Sequence, residues 1–241
     1  MTAKAAIIIG ASGGIGRALV DALPYSCVHA ISRSDAPDRL GSHVHWHVCA
    51  DDAEQRAETV ATIGRMLSES GVELHRVIVC AGTLHGEHYR PERALRELDA
   101  ETMQSVFHVN AMVPMLWLAA LEPLMRRSAE CVAAFLSARV GSITDNRLGG
   151  WYSYRGSKSA LNMMLKSAAI ELARRAPAIK LVAFHPGTTD TALSAPFQAR
   201  VPKDKLFTPE YVADRLLAIM DDVNADGTLS YLDWAGESID W

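Results

Sequence analysis

Six short apolar runs, rich in β-branched residues, do most to limit what this chain can fold into: residues 5–9, 28–31, 44–48, 74–80, 132–136 and 181–184. Longer helix-patterned segments separate most of them, and strands alternating with helices predict parallel βαβ units. Unbroken apolar strands fit a sheet covered by helices on both faces, because neither face then meets water. A last strand over 228–232 is expected to close the sheet. No Pro/Gly/Ser linker, internal repeat or low-complexity segment interrupts the chain, so its 241 residues, 49% of them apolar, read as one domain over 1–241. The predicted fold class is α/β: a single-domain, Rossmann-type, doubly wound, mostly parallel seven-stranded sheet with helices on both faces.

A formal net charge of -4 argues against a general nucleic-acid or anionic-membrane surface. The chain passes from Met1-Thr2-Ala3-Lys4 straight into the first apolar run, without a signal-peptide cleavage pattern or a long apolar span, so a cytoplasmic protein is expected. Cys27, Cys49, Cys80 and Cys131 lie far apart in or beside strand-like runs, which suits buried, reduced thiols. His43, His45 and His47 alternate along the third strand and share one face, but that strand belongs at a sheet edge far from the expected site. No metal is expected there.

The first strand runs into Gly10-Ala11-Ser12-Gly13-Gly14-Ile15-Gly16, and 17–23 then reads as helix. Glycines let the backbone turn tightly and approach a pyrophosphate, while the helix N-terminus offers free N–H groups and a positive dipole end. Gly10, Ser12, Gly13, Gly14, Ile15 and Gly16 are thus candidate dinucleotide-binding residues.

Tyr154 and Lys158 stand four residues apart on a helix-patterned stretch, so their side chains share a face about one turn apart. Leu161, Leu165, Ala168 and Leu172 extend the same stripe, which places the face against the protein interior. At ~4 Å and an effective dielectric near 20, ammonium–phenolate attraction of about 4 kcal/mol draws a phenol pKa from about 10 toward about 7. That makes Tyr154 a candidate general acid near neutrality.

The ordered set formed by the glycine loop, the Cys80-Ala81-Gly82 turn, Asn110, the Tyr154/Lys158 pair and Pro186-Gly187 resembles the short-chain dehydrogenase/reductase family across essentially the whole chain. Ser137-Ala138-Arg139-Val140-Gly141-Ser142-Ile143, Gly149-Gly150-Trp151-Tyr152 and Leu206-Phe207-Thr208-Pro209-Glu210 look like its branch of C-factor-like and sniffer-like carbonyl reductases. The resemblance implies interconversion of a carbonyl and an alcohol by hydride transfer, with a small-molecule substrate. It also implies that Lys158 holds the nicotinamide ribose, that Asp51 contacts adenine, and that Pro186, Gly187, Thr188 and Thr191 meet the carboxamide. Cys80 stands where the family commonly has Asn, leaving Ala81 and Gly82 to give close approach.

Ser32-Arg33-Ser34 ends the second strand without the acid that would bind a ribose 2′-OH, and Arg33 can pair with a 2′-phosphate. Arg17 adds charge nearby. NADP(H) is the expected cofactor, with NAD(H) left open by Asp35. Asn110 matches the fourth family residue, and Pro114 lacks the N–H that would bond its carbonyl, freeing that carbonyl to hold a water leading to Lys158. Ala138 occupies the family's serine position. Ser137 reaches the site only if a bulge re-aims it, and Ser142 follows a glycine where the chain can bend, so both stay candidates. Residues 190–205, without helix period, read as a mobile binding loop in which Leu193, Phe197 and Val201 line the pocket. Relatives pair the helices carrying Asn110 and Tyr154, so a homodimer or homotetramer is an open expectation. The rival reading is a catalytically silent dinucleotide-binding signalling or regulatory protein.

Overall fold

A computed structural model describes residues 3–241. Its central sheet has seven strands in the order β3-β2-β1-β4-β5-β6-β9, and every pairing is parallel. The strands are β1 (Lys4–Ile9), β2 (Cys27–Ser32), β3 (Val44–Val48), β4 (Glu73–Val79), β5 (Cys131–Leu136), β6 (Ile179–His185) and β9 (Leu229–Asp233). Each falls on a predicted run to within two residues. A separate two-stranded ribbon pairs β7 (Thr188–Thr189) with β8 (Leu206–Phe207).

Helices α1 (Gly14–Ala22) and α6 (Pro209–Asp222) cover one face, and α2 (Ala53–Ser70), α4 (Val113–Met125) and α5 (Tyr152–Arg175) cover the other. Side-chain alternation in each strand divides the core accordingly. Ile7, Val77, Ala133 and Leu181 face α2, α4 and α5, while Ala6, Ile8, Ile78 and Phe184 face α1 and α6. The stripe on α5 buries Leu161, Leu165 and Leu172 as expected, but Ala169 lies deeper than Ala168 because a 3.6-residue turn drifts off strict four-residue spacing.

Before α4, α3 (Ala100–Phe107) leads into a π-turn over His108–Met112. Pro114 stands at the start of α4, and the freed backbone widens into the i→i+5 pattern: Val113 N–H bonds the His108 carbonyl. The continuous run Ala100–Met125 is long and apolar enough to cross a membrane by length and composition. Here it packs inside the molecule through Val106, Ala111, Trp117, Leu118 and Leu121.

All four cysteines are free thiols. Burial pushes Cys80 and Cys131 up to about 12, so they are protonated and inert at neutral pH. β3 is an edge strand, and its half-buried His45 and His47 meet a residue on β2 that the pattern of the third strand alone does not show. His29 is fully buried, stacks on His45 at 5.2 Å, and shares hydrogen bonds with His47 (3.0 Å) and the Cys27 thiol (3.3 Å).

Burial, reinforced by His47 and His45, lowers the His29 pKa to about 3. Between about pH 6.5 and 3 the unfolded chain binds a proton at this ring that the folded chain refuses, so stability falls as pH drops through that window and not above it. The limiting slope for one such group is about 1.4 kcal/mol per pH unit. Urea unfolding of the wild-type protein and His29→Leu at pH 7 to 4 is expected to show a shallower acid slope in the variant. Equal slopes would refute the assignment.

Candidate functional site

The glycine turn sits where β1 hands the chain to α1, at the carboxyl edge of the parallel sheet. Gly10 adopts φ +82, and a Cβ there would press on the Cys80 and Ala81 backbone. A Cβ at Gly16 would overlap the Gly10 carbonyl, and one at Gly14 would strike Thr191. The three glycines thus let β1, the turn after β4 and the segment after β6 close around one hollow. Gly13 caps α1 without a side-chain hydrogen bond, and no acid stands in the first turn. Those N–H groups and the helix dipole are left to an anion.

That hollow continues into a cavity of about 550 Å³. Its walls come from the glycine turn, from Cys80-Ala81-Gly82 and Leu84 after β4, from 136–138 and Val140 after β5, from Trp151, Tyr154 and Lys158 at the start of α5, and from residues between His185 and Val201. Of the sequence-derived residues, Gly13, Gly14, Ile15, Gly16, Cys80, Ala81, Gly82, Ser137, Tyr154, Lys158, Pro186, Gly187, Thr188 and Thr191 share this lining. So do Leu193, Phe197 and Val201.

Lys158 is buried, and its Nζ donates to the Leu136 carbonyl at 2.7 Å while lying 5.9 Å from the centre of the Tyr154 ring. Burial lowers Lys158 to about 8. It raises Tyr154 to about 12, with the Tyr231 hydroxyl adding to the rise. The expected fall of the phenol toward 7 is therefore reversed here. Helical spacing places the ammonium near the ring but cannot show how deeply the phenol is buried, nor that a strand-end carbonyl engages the ammonium. The α5 helix approaches closely because Gly141 packs on the Lys158 backbone, where a Cβ would lie 3.0 Å away.

Asn110 is fully buried in the π-turn. Its Oδ1 accepts from Thr83 N (2.7 Å), and its Nδ2 donates to Thr83 O (2.9 Å) and Ser157 Oγ (3.1 Å). Its side chain therefore ties the loop after β4 to the helix that carries Tyr154 and Lys158. Gly82 lies between Asn110 and Lys158, each 3.6 Å from the position of its absent Cβ.

The two serines separate. Ser137, just past the end of β5, lines the cavity and donates to Asn162 Oδ1 at 2.6 Å, whereas Ser142 is buried outside it and accepts from Asp145 N at 3.0 Å. Ser137 reaches the cavity without a bulge: β5 and β6 pair in unbroken register, and Ser137 N still donates to the Phe184 carbonyl at 2.8 Å. Ala138 lines the cavity beside Ser137, with its carbonyl held by Tyr231 Oη at 2.7 Å.

On the outer side, Ser32 Oγ donates to Ser12 Oγ at 2.8 Å and accepts from Ser34 N at 3.0 Å, which leaves Arg33 exposed beside the turn. Arg17 pairs with Asp21 and reaches the Arg39 carbonyl. Asp51 is paired within the chain: Arg56 holds one carboxylate oxygen at 3.1 Å and His108 holds the other. The cap of α2 is Asp52, not Asp51.

Among the cavity residues that sequence reasoning passed over are His185, Thr189 and Trp151. His185 lies at the end of β6, edge-on to Trp234 at 5.5 Å, and burial lowers it to about 4, so its ring is neutral at pH 7. Thr189 anchors the ribbon. Trp151 stands at φ +52 after two glycines also at positive φ, and those paired glycines ahead of a helix were the available signal. The 190–205 segment is not a bare loop. It leaves and re-enters through the β7–β8 ribbon, contains short 3₁₀ turns at Ala195–Arg200 and Lys203–Lys205, and is bonded within itself, as by Gln198 to Asp190 at 2.9 Å.

The sequence model of the short chain dehydrogenase family matches residues 4–201. The chain belongs to the short-chain dehydrogenase family. Within this family, the C-signal of Myxococcus xanthus is 32% identical over 148 residues, which are 61% of this chain and 84% of that protein. The NADPH-bound carbonyl reductase from chicken fatty liver shares 22% identity and superposes with a TM-score of 0.84 over 100% of both chains. The carbonyl reductase Sniffer of D. melanogaster does so at 19% identity and a TM-score of 0.83, again over 100% of both. At those identities the two structures show the shared fold, a single-domain, Rossmann-type sheet.

In this dehydrogenase Asn110 is the strut between two walls of the site. Replacing it with Ala strands the partly buried Thr83 N–H and carbonyl, and urea unfolding is expected to show a loss of about 1–3 kcal/mol. A loss below about 0.5 kcal/mol would show that the strut is dispensable.

Proposed function

We propose that the chain is an NADP(H)-dependent oxidoreductase that interconverts an aldehyde or ketone and the corresponding alcohol, with Tyr154 as general acid and base. The observation that carries this reading is the placement of the Tyr154 hydroxyl and the buried Lys158 ammonium in the same cavity as the glycine cradle. When bound, NADP(H) supplies or receives the hydride. The cradle fits such a group because its glycines sit where any Cβ would collide, and because the α1 N-terminus is uncapped. Exposed Arg33, flanked by serines rather than acids, supports NADP(H) over NAD(H), as does the NADPH in the chicken carbonyl reductase.

Tyr154 holds its proton up to about 12 and passes it to the carbonyl oxygen as the alcohol forms. Lys158, charged below about 8, restrains the negative charge that develops on the phenol. Ser137, in the cavity lining, would hydrogen-bond the substrate oxygen by turning its hydroxyl away from Asn162 Oδ1, whereas Ser142 lies outside the lining. Apolar side chains from 190–205 exclude water from this end.

The rival reading, a dinucleotide-binding signalling protein without turnover, draws on the C-signal relative and on Ala138 in the family's serine position. Tyr154, Lys158 and Asn110 together favour the enzyme. NADPH oxidation followed at 340 nm with a panel of aldehydes, diketones and quinones separates them: tight NADPH binding with no turnover on any member would establish the rival.

Tyr154→Phe is expected to lower kcat by about 10²–10⁴-fold while NADPH still binds. Ser137→Ala is expected to cost roughly 100-fold and Ser142→Ala little, in parallel kinetic assays. The reduction rate should hold below pH 8 and fall about tenfold per unit above it, because Lys158 is the first of the two groups to lose its proton as pH rises. A rate that climbs through pH 8 to 10 would contradict these roles.

A further inference from the structure

We propose that Trp151 sets the specificity of this cavity and that its substrate carries a flat aromatic ring directly on the carbonyl carbon. The inference rests on the reductase reading above and narrows it.

Trp151 is the one non-glycine residue at positive φ among the described residues (φ 52, ψ 42). A bulky side chain is disfavoured there, and at the N-cap of α5 it makes no capping hydrogen bond, so the helix gains nothing from a tryptophan. The surroundings nevertheless enforce the conformation. Trp151 N–H bonds the Glu92 carbonyl at 2.5 Å, and the buried Glu92 carboxylate accepts from Ser153 N at 3.2 Å and from the Ser153 hydroxyl. Gly149 and Gly150, both at φ +65, bring the chain into this turn.

The strained backbone delivers the indole to the cavity. Trp151 meets the Tyr154 ring edge-on at 6.1 Å and 75°, and meets Phe197 at 5.2 Å and 61°. Phe197 in turn leans on His85, whose Nε2 lies 3.2 Å from the Ala192 carbonyl. A carbonyl group bonded to the Tyr154 hydroxyl would thus share the cavity with the indole of Trp151, since both residues line it and their rings meet. Two rings meeting at a steep angle offer a flat partner one face and one edge, the arrangements aromatic groups prefer. Leu84, Val140 and Leu193 complete an apolar wall that offers no charged partner on this side.

Phenyl methyl ketone and cyclohexyl methyl ketone have the same number of carbons and differ in ring flatness. Their kcat/KM values with NADPH are to be compared in the wild-type protein, Trp151→Gly and Trp151→Phe. Glycine suits φ +52 and keeps the N–H to Glu92, so Trp151→Gly should stay folded with a Tm lowered only by the lost contacts to Tyr154 and Phe197. The phenyl-to-cyclohexyl ratio is expected to fall about tenfold in Trp151→Gly, through KM for the phenyl ketone, and to stay within about threefold in Trp151→Phe. An unchanged ratio, a wild-type preference for the cyclohexyl ketone, or an equal loss on both ketones in Trp151→Gly overturns this inference and leaves the reductase reading standing. No turnover of either ketone by the wild-type protein overturns this inference, and the reductase reading falls with it only if the panel of aldehydes, diketones and quinones is also left unreduced.

Discussion

A single ammonium group taken out of water at the carboxyl edge of the sheet organises this molecule. Lys158 lies under the cavity floor with the Leu136 carbonyl as its acceptor, and leaving such a charge unpaired there would cost several kcal/mol. The carbonyl is available because the pairing of β5 with β4 stops at Phe135, one residue short of Leu136. The helix can bring the charge so close because Gly141 has no side chain to hold it off. Strand length, a small residue in the next turn and the position of one lysine are thus a single constraint.

Asn110 and Glu92 extend that constraint to the first turns of α5. One ties the helix to the loop after β4 through Thr83 and Ser157, and the other grips the helix N-terminus through Trp151 and Ser153. Both are buried polar groups that reach across elements far apart in sequence. The π-turn sets Asn110 facing inward, so the proline that follows it acts on the site through geometry of the main chain.

Much of this could be read from the chain alone, and the reasons differ by element. Strands buried on both faces, such as β1 and β5, leave unbroken apolar runs, and all seven strands, the half-buried edge strand β3 included, were legible to within two residues. The glycine turn was legible because close backbone approach admits few residue types. Local spacing failed where the answer depended on depth or on a distant partner. The Tyr154 pKa rises because burial, with the Tyr231 hydroxyl adding to it, disfavours the phenolate, and depth is something no spacing rule contains. The β3 histidines close on His29 from the neighbouring strand. Trp151 was passed over because a tryptophan at positive φ runs against every local preference, and only the tertiary contacts with Glu92 hold it there.

The ribbon at the foot of 190–205 bears on how such a protein changes over time. Because β7 and β8 pinch the excursion shut at its base, the central sheet does not register how long the intervening stretch is or what it contains. Loop-closure entropy grows only slowly with length, so this stretch behaves as an exchangeable cassette. New ligands can be courted by rewriting one peninsula of the chain, while the proton-handling residues on α5 inherit their surroundings intact.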